Sequence, residues 1–264
     1  MKRRIGAGVP LALMLPAGLA LLFLVLPLTA LIVRAPWSTM PQRLAQEEVL
    51  TALRLSLVCA SLATVICVVL GIPLAWLLAR VEFRGRKLVR ALVTVPLVLP
   101  PVVGGVALLM ALGRRGLVGQ YLWNWFGYQI PFTTTAVVLA EAFVAMPFLV
   151  ISVEGALRSA DNRYEEAAAT LGAGRWTTFR RVTLPLVAPG VAAGAVLCWA
   201  RALGEFGATI TFAGSSPGVT QTMPIAVYRA LETDLSAAIV LSLILLAVSV
   251  AILVSLRDRW VRSA

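Results

Sequence analysis

Glu166-Ala-Ala-Ala-Thr-Leu-Gly172-Ala-Gly174-Arg-Trp-Thr-Thr-Phe-Arg-Arg-Val182-Thr-Leu184-Pro185 is the longest interior stretch of this 264-residue chain that is too polar to lie in lipid. Strongly apolar runs flank it on both sides. Glu165, Glu166, Arg175, Arg180 and Arg181 hold it in water. Just upstream, Asn162 and Glu165 have the spacing of a capping box, in which both side chains satisfy free backbone N–H groups. Ala167, Ala168, Ala169 and Leu171 propagate a helix, and Gly172 is its expected stop. A second short helix is expected over 174–182, ending before Pro185, because a proline disfavours helical geometry in the residue before it. Helices this short are marginal alone. Three successive alanines also leave a face without bulk, open to close approach by another backbone. The stretch is therefore either an ordinary loop between spans or a docking element for a soluble partner.

The flanks decide the class. Hydrophobic residues make up 60% of the chain and charged residues 13%, a composition of several transmembrane helices and not of a soluble domain. The expectation is an all-α integral membrane protein with one membrane domain over residues 1–264. About six spans are read near 9–33, 53–78, 88–112, 133–153, 186–212 and 237–256, with the polar loop over 155–185. The first apolar run exceeds the roughly 7–15 residues of a signal-peptide core, so an uncleaved first helix is expected after Lys2, Arg3 and Arg4. With the N-terminus inside and six spans, 16 Lys and Arg fall in inside segments and 6 outside, with Arg201 left within a span. That positive-inside bias puts both termini and the 155–185 loop in the cytoplasm.

The same distribution explains the net charge of +11. The arginines flank apolar runs and form no basic module, so no nucleic-acid partner is expected; membrane lipid is. The absence of histidine excludes a Ser-His-Asp triad and histidine-ligated metal, and no metal site is expected. Cys59, Cys67 and Cys198 all lie inside apolar runs and are expected to be packing residues. No phosphate-binding Gly-x-x-x-x-Gly-Lys-[Ser/Thr] loop is present, so the chain is not expected to hydrolyse ATP.

Two apolar stretches are unusual. Pro96, Pro100, Pro101, Gly104 and Gly105 fall within ten residues. Each proline removes a backbone donor, and in lipid such a broken stretch must be buried in protein or line a water-filled path. It is read either as a structural kink or as a pathway wall or gate. Arg201 and Glu205 stand at i,i+4 within the fifth run, where the two can meet on one face. They are either a mutually satisfied pair, or Arg201 keeps an anion path positive while Glu205 fixes its position. Thr209 and Thr211 are candidate hydroxyl donors to an oxyanion. Glu141 is a lone intramembrane carboxylate, expected to pair with Arg201 or to be protonated.

These residues also carry a resemblance. Glu166-Ala167-Ala168, then Gly172, then Val182-x-Leu184-Pro185 resembles the EAA motif of ABC-importer permeases, with Val182 where that family usually has Ile. Pro96-Leu-Val-Leu-Pro-Pro-Val-Val-Gly-Gly105, Gly113-Arg-Arg-Gly-Leu-Val-Gly119 and Arg201-Ala-Leu-Gly-Glu-Phe-Gly-Ala-Thr-Ile-Thr-Phe212 are similar to the molybdate permeases of that class. Tungstate and sulfate permeases are close relatives, the latter tending to carry Gly-Glu-Tyr-Gly in place of Gly204-Glu-Phe-Gly207. The resemblance implies a type I ABC-importer permease fold with a cytoplasmic coupling-helix loop. It implies a bacterial or archaeal plasma-membrane location and import of a tetrahedral oxyanion, molybdate first, with sulfate or tungstate as the alternative. Glu165, Glu166, Ala167, Ala168, Gly172, Arg175, Leu184 and Pro185 would couple to the ATPase. Pro96, Pro100, Pro101, Gly104, Arg201, Glu205 and Thr209 would form the path or gate. The implied partners are a second copy of the chain, two ATP-binding cassette subunits carrying ATP and Mg, and an extracytoplasmic substrate-binding protein. No cofactor would sit on this chain.

An ion-coupled secondary anion transporter is the rival reading, with Glu141 and Glu205 as coupling groups. It predicts internal repeats, and the sequence has no recognisable one. A membrane-embedded enzyme would need a nucleophile–base or metal constellation, and none is seen.

Overall fold

The computed structural model of the chain describes residues 11–161 and 163–261. Lys2, Arg3, Arg4, Asn162 and Arg262 lie outside them. The described elements are all helical. Leu11–Val33 (α1) is an apolar rod whose main contact is the last helix. A short turn, Met40–Leu44 (α2), leads into Glu47–Arg80 (α3). At about 1.5 Å per residue, the 34 residues of α3 run well past a hydrocarbon core about 30 Å thick. Arg86–Val98 (α4) and Pro101–Leu112 (α5) follow, then Gly119–Phe126 (α6) and Thr134–Ser159 (α7). Two short helices, Arg163–Thr170 (α8) and Arg175–Thr178 (α9), precede Leu184–Leu203 (α10). Gly207–Ala213 (α11), Met223–Thr233 (α12) and Leu235–Val261 (α13) complete the chain.

Five described helical segments are long and apolar enough to cross a membrane, and six if the bent pair α4–α5 counts as one. The core is the packing of α3, α7 and α10. Small residues recur in it beside larger ones such as Leu78, Leu149 and Leu157, and let the helices approach closely where lipid offers no hydrophobic driving force. Cys59, Cys67 and Cys198 are fully buried there, as read from the sequence. Gly190 and Gly194, four apart on α10, face Ala156 and Ser152, four apart on α7. A Cβ at Gly190 would lie 2.3 Å from the Ala156 Cβ, and one at Gly194 would lie 2.9 Å from the Ser152 Cβ.

The third span is broken, as read, and sharply so, with α4 and α5 meeting at 119°; two expectations further along the chain need correcting. The break falls at Leu99 and Pro100, both extended (ψ 128° and 132°). Leu99 is pushed from helical geometry by the proline after it, and Pro101 opens the new helix, where its missing N–H costs nothing. Pro96 breaks nothing and sits inside α4. The fifth span does not reach Phe212. It stops at Leu203, and α11 begins separately after Gly204–Phe206. Finally, no helix ends before Pro185. From Arg175 the chain is helical through to Leu203, because Phe179–Thr183 forms a π-helical turn in which the Leu184 N–H bonds to the Phe179 carbonyl. The switch to i→i−5 bonding changes which carbonyls face the proline, so the helix passes it.

Candidate functional site

The C-terminal ends of α3 and α7, the start of α4, the helices α8 and α9 and the start of α10 meet at one end of the molecule. Three arginines hold that end together. Arg86 Nε donates to the Leu78 carbonyl (2.9 Å), and Arg90 Nη2 reaches the same oxygen (3.3 Å). These are the carbonyls that the end of α3 leaves without intrahelical partners. Arg90 also forks onto Glu154 Oε1 (3.1 and 2.6 Å), which Arg158 contacts from one turn along α7 at 2.7 Å. Glu154 is 7% exposed, so its charge is buried and paired, the condition under which a buried carboxylate is tolerated. This explains why α7 continues six residues beyond the expected end at 153. The sequence signal was present: Glu154 and Arg158 stand at i,i+4.

The expected docking stretch is built as read from Glu166 to Gly172. The Ala173 N–H bonds the Ala168 carbonyl and the Gly172 N–H bonds the Ala169 carbonyl, both at 3.0 Å. That is a Schellman closure of α8, with Gly172 in the left-handed conformation (φ +82°). Asp161 Oδ1 accepts the Arg163 N–H at 2.9 Å at the start of α8. Glu165 turns inward: its Oε1 accepts Thr183 Oγ1 (3.0 Å) and pairs with Arg80 Nη2 (3.1 Å). The two adjacent glutamates therefore differ. Glu165 is half-buried, whereas Glu166 is exposed with Ala167, Gly172, Arg175 and Pro185; Ala168 and Leu184 are half-buried. Leu171 and Trp176 are 88% and 70% exposed. Between α8 and the end of α3 lies a cleft of about 520 Å³ lined by Trp76, Arg80, Glu165, Ala169 and Phe179, among others.

The second candidate site is the crossing of α5 and α11. Here two backbones touch. A Cβ at Gly105 would lie 2.7 Å from the Ala208 carbonyl oxygen, and one at Gly207 would lie 2.8 Å from the Pro101 Cβ. Gly104 faces Phe143 of α7, whose ring a Cβ would approach to 3.2 Å. Pro96 is half-buried and Pro100 and Pro101 are exposed; Pro101 nevertheless meets Gly207 at the crossing, so the cluster both shapes the bend and reaches the contact.

Arg201 and Glu205 lock the break between α10 and α11. Arg201 Nη2 lies 2.6 Å from Glu205 Oε2, while Glu205 Oε1 accepts the Ala208 N–H at 2.8 Å. Glu205 thus holds the end of one helix and the start of the next. Its carboxylate is 1% exposed and both oxygens are engaged, whereas the Arg201 side chain keeps 27% exposure. The paired reading is the one observed. Glu141, 1% exposed on α7, does not pair with Arg201, and its Oε2 has no hydrogen-bond partner; neither has Thr209 Oγ1. Thr211 Oγ1 is occupied by the Gly207 carbonyl (2.8 Å).

The family model for binding-protein-dependent transport system inner membrane components matches residues 71–263. The chain belongs to this family. Its several apolar helices accordingly make it a multi-pass inner-membrane protein. The chain is 50% identical over 245 residues to the molybdenum transport system permease protein ModB of Mycobacterium tuberculosis (strain ATCC 25618 / H37Rv), covering 93% of this chain and 92% of the relative. It is 34% identical over 258 residues to the sulfate transport system permease protein CysT of Escherichia coli (strain K12), covering 96% and 93%. Among solved structures, a bacterial ABC transporter involved in the import of the acidic polysaccharide alginate superposes with a TM-score of 0.76. It is 20% identical, and the match covers 95% of this chain and 94% of that one. The fold is that of an ABC-importer permease.

Proposed function

We propose that this chain is the membrane-spanning subunit of an ATP-driven importer that moves molybdate into the cytoplasm. The observation that carries the substrate is the contrast in identity at similar coverage: 50% to a molybdenum permease against 34% to a sulfate permease. Phe206 in Gly204-Glu-Phe-Gly207 is in keeping with it. The chain works as a dimer with a second copy, with both termini and α8 on the cytoplasmic side. Two ATP-binding cassette subunits carry ATP and Mg, and a substrate-binding protein delivers the oxyanion from outside.

Glu166, Ala167, Ala168 and Gly172, with Arg175, Leu171 and Trp176 beside them, form the surface presented to the ATPase. The exposure of all of them but the half-buried Ala168 and the flat alanine face support that role. Leu184 and Pro185 carry movement of α8 and α9 into α10 through one continuous helix. Pro96, Pro100, Pro101 and Gly104 shape the wall of the path at the α4–α5 bend. Arg201 supplies a partly exposed positive charge beside it, which suits a tetrahedral dianion. Glu205 positions Arg201, and Thr209 lies behind the pair, buried, at the α5–α11 crossing.

The test is ATP-dependent uptake of labelled molybdate by the reconstituted permease–ATPase complex with its binding protein, with tungstate and sulfate as competitors. Uptake that requires ATP and that sulfate competes for only weakly is the expected result. Uptake without any ATPase, or preference for sulfate, overturns the reading.

A further inference from the structure

Two links tie the end of α3 across the cleft, one to α8 and one to the π-helical turn before α10. Arg80 Nη2 reaches Glu165 Oε1 at 3.1 Å. One turn earlier on α3, the Trp76 ring meets Phe179 edge-on at 6.2 Å, and Phe179 stacks on Trp176 at 5.8 Å. Trp76 and Arg80 are four residues apart, so one face of one helix supplies both. Glu165 has a second role, because the oxygen that pairs with Arg80 also accepts Thr183 Oγ1 (3.0 Å). Thr183 is buried at the junction of the π-helical turn with α10. One carboxylate oxygen therefore joins three elements: α8, the end of α3 and the start of α10. The rest of the interface is open, at about 520 Å³. An open cleft bridged at two points lets α8 tilt while staying attached.

From this geometry we infer that Arg80 and Glu165 form a bracket that makes α3, as well as α10, follow the movement of α8. Glu165 is thus a positioning residue that acts within the chain, and Glu166, exposed at the edge of the same cleft, is the one open to a partner. The inference rests on the importer reading for what moves α8; the bracket itself rests only on the contacts within this chain. Both side chains are largely shielded (13% and 26% exposed), so the pair is screened less than a surface ion pair. α3 packs along α7 and α10 through the core, so a pull at Arg80 reaches the whole bundle.

The experiment uses the full chain in inside-out membrane vesicles. The variants are Glu165→Gln, Arg80→Glu, the exchange Arg80→Glu/Glu165→Arg, and Arg80→Lys. The first readout needs no partner: tryptic cleavage at Arg163 and Arg175. Releasing α8 is expected to raise its opened population, and hence cleavage, about fivefold in the first two variants, with recovery in the exchange and in Arg80→Lys. The second readout is anions imported per ATP hydrolysed, measured with the ATPase subunit bound. This ratio is expected to fall in Glu165→Gln and Arg80→Glu and to recover in the exchange.

Unchanged cleavage in both single variants overturns the bracket. Increased cleavage with an unchanged coupling ratio overturns its role in transmission. Loss of ATPase binding in Glu165→Gln that the exchange does not restore overturns the assignment of Glu165 to the inner side. If the unaltered chain binds no ATPase at all, the importer reading fails, while the cleavage series still decides for or against the bracket.

Discussion

The end of the molecule that carries α8 and the α5–α11 crossing are built on opposite principles. At the crossing, backbone meets backbone, and there is no room for a methyl group at Gly105 or Gly207. At the α8 end, an open cleft is bridged by one shared carboxylate oxygen of α8 and by the aromatic edge between Trp76 of α3 and Phe179 of the π-helical turn. A close-packed contact resists gradual deformation and has few arrangements. A bridged cleft can tilt at little cost. The difference teaches that small residues mean different things in the two places. The glycines of the crossing are filled by a neighbouring helix, whereas nothing within 4 Å would meet a Cβ at Gly172. That open space is where a partner can sit.

The strongest way to break this comparison is at the lock beside the crossing. Arg201→Met leaves Glu205 buried without its cation and is expected to destabilise the folded protein by about 3 kcal/mol or more. Arg201→Met/Glu205→Gln should recover most of that, because the glutamine oxygen can still accept the Ala208 N–H. Thermal unfolding in detergent compares the two; equal losses would mean that the pair does not act as a unit. At the crossing itself, Gly105→Leu should cost about 1–3 kcal/mol by forcing α5 and α11 apart. It is read as loss of folded, monodisperse protein, and a normal yield would show that the contact yields easily.

At the α8 end the expected effects are smaller and local. Gly172→Ala meets no neighbour, so its cost is the left-handed backbone alone, about 1–2 kcal/mol. It should appear as faster hydrogen exchange confined to 165–173, with the membrane helices unchanged. Exchange that spreads into α7 would contradict the local picture. The smallest effect is expected away from both sites, where Arg43 Nη1 holds Asp234 Oδ2 at 2.7 Å and ties α2 to the start of α13. That hydrogen bond, helped by the Ala237 N–H, holds the Asp234 carboxyl below its ordinary value of 3.8. Because the folded value is the lowered one, the tie is complete above the ordinary aspartate range and is lost as pH falls through the lowered value. Hydrogen exchange over 40–46, corrected for intrinsic rates, should rise only below about pH 4. A rise near neutral pH would mean that another group holds the corner.

Much of the α8 segment was legible in the sequence, because its structure is local. The alanine-propagated helix and its left-handed glycine stop are written within ten residues and need no distant partner, whereas the expected capping box is not formed by Glu165, whose Oε1 is engaged by Thr183 and Arg80. The proline cluster was legible as a break, but its 119° angle depends on where α5 finds α11. The inward turn of Glu165 was not legible. Its partners, Arg80 and Thr183, are 85 and 18 residues away in sequence, and nothing near Glu165 distinguishes it from Glu166. Pro185 misled in the same way: proline chemistry predicts a helix end, and only the π-helical turn beside it allows the helix to pass.

By itself the sequence determined the all-α membrane class, the polar loop and its place between spans, since hydropathy, charge bias and caps act over one or two turns of chain. Tertiary structure alone decided which glutamate faces α3, that Arg201 pairs with Glu205 and not Glu141, and that the fifth run splits into α10 and α11. Each of those outcomes is a choice among partners of similar chemistry. Packing makes that choice, through the few ångströms by which one helix lies nearer than another.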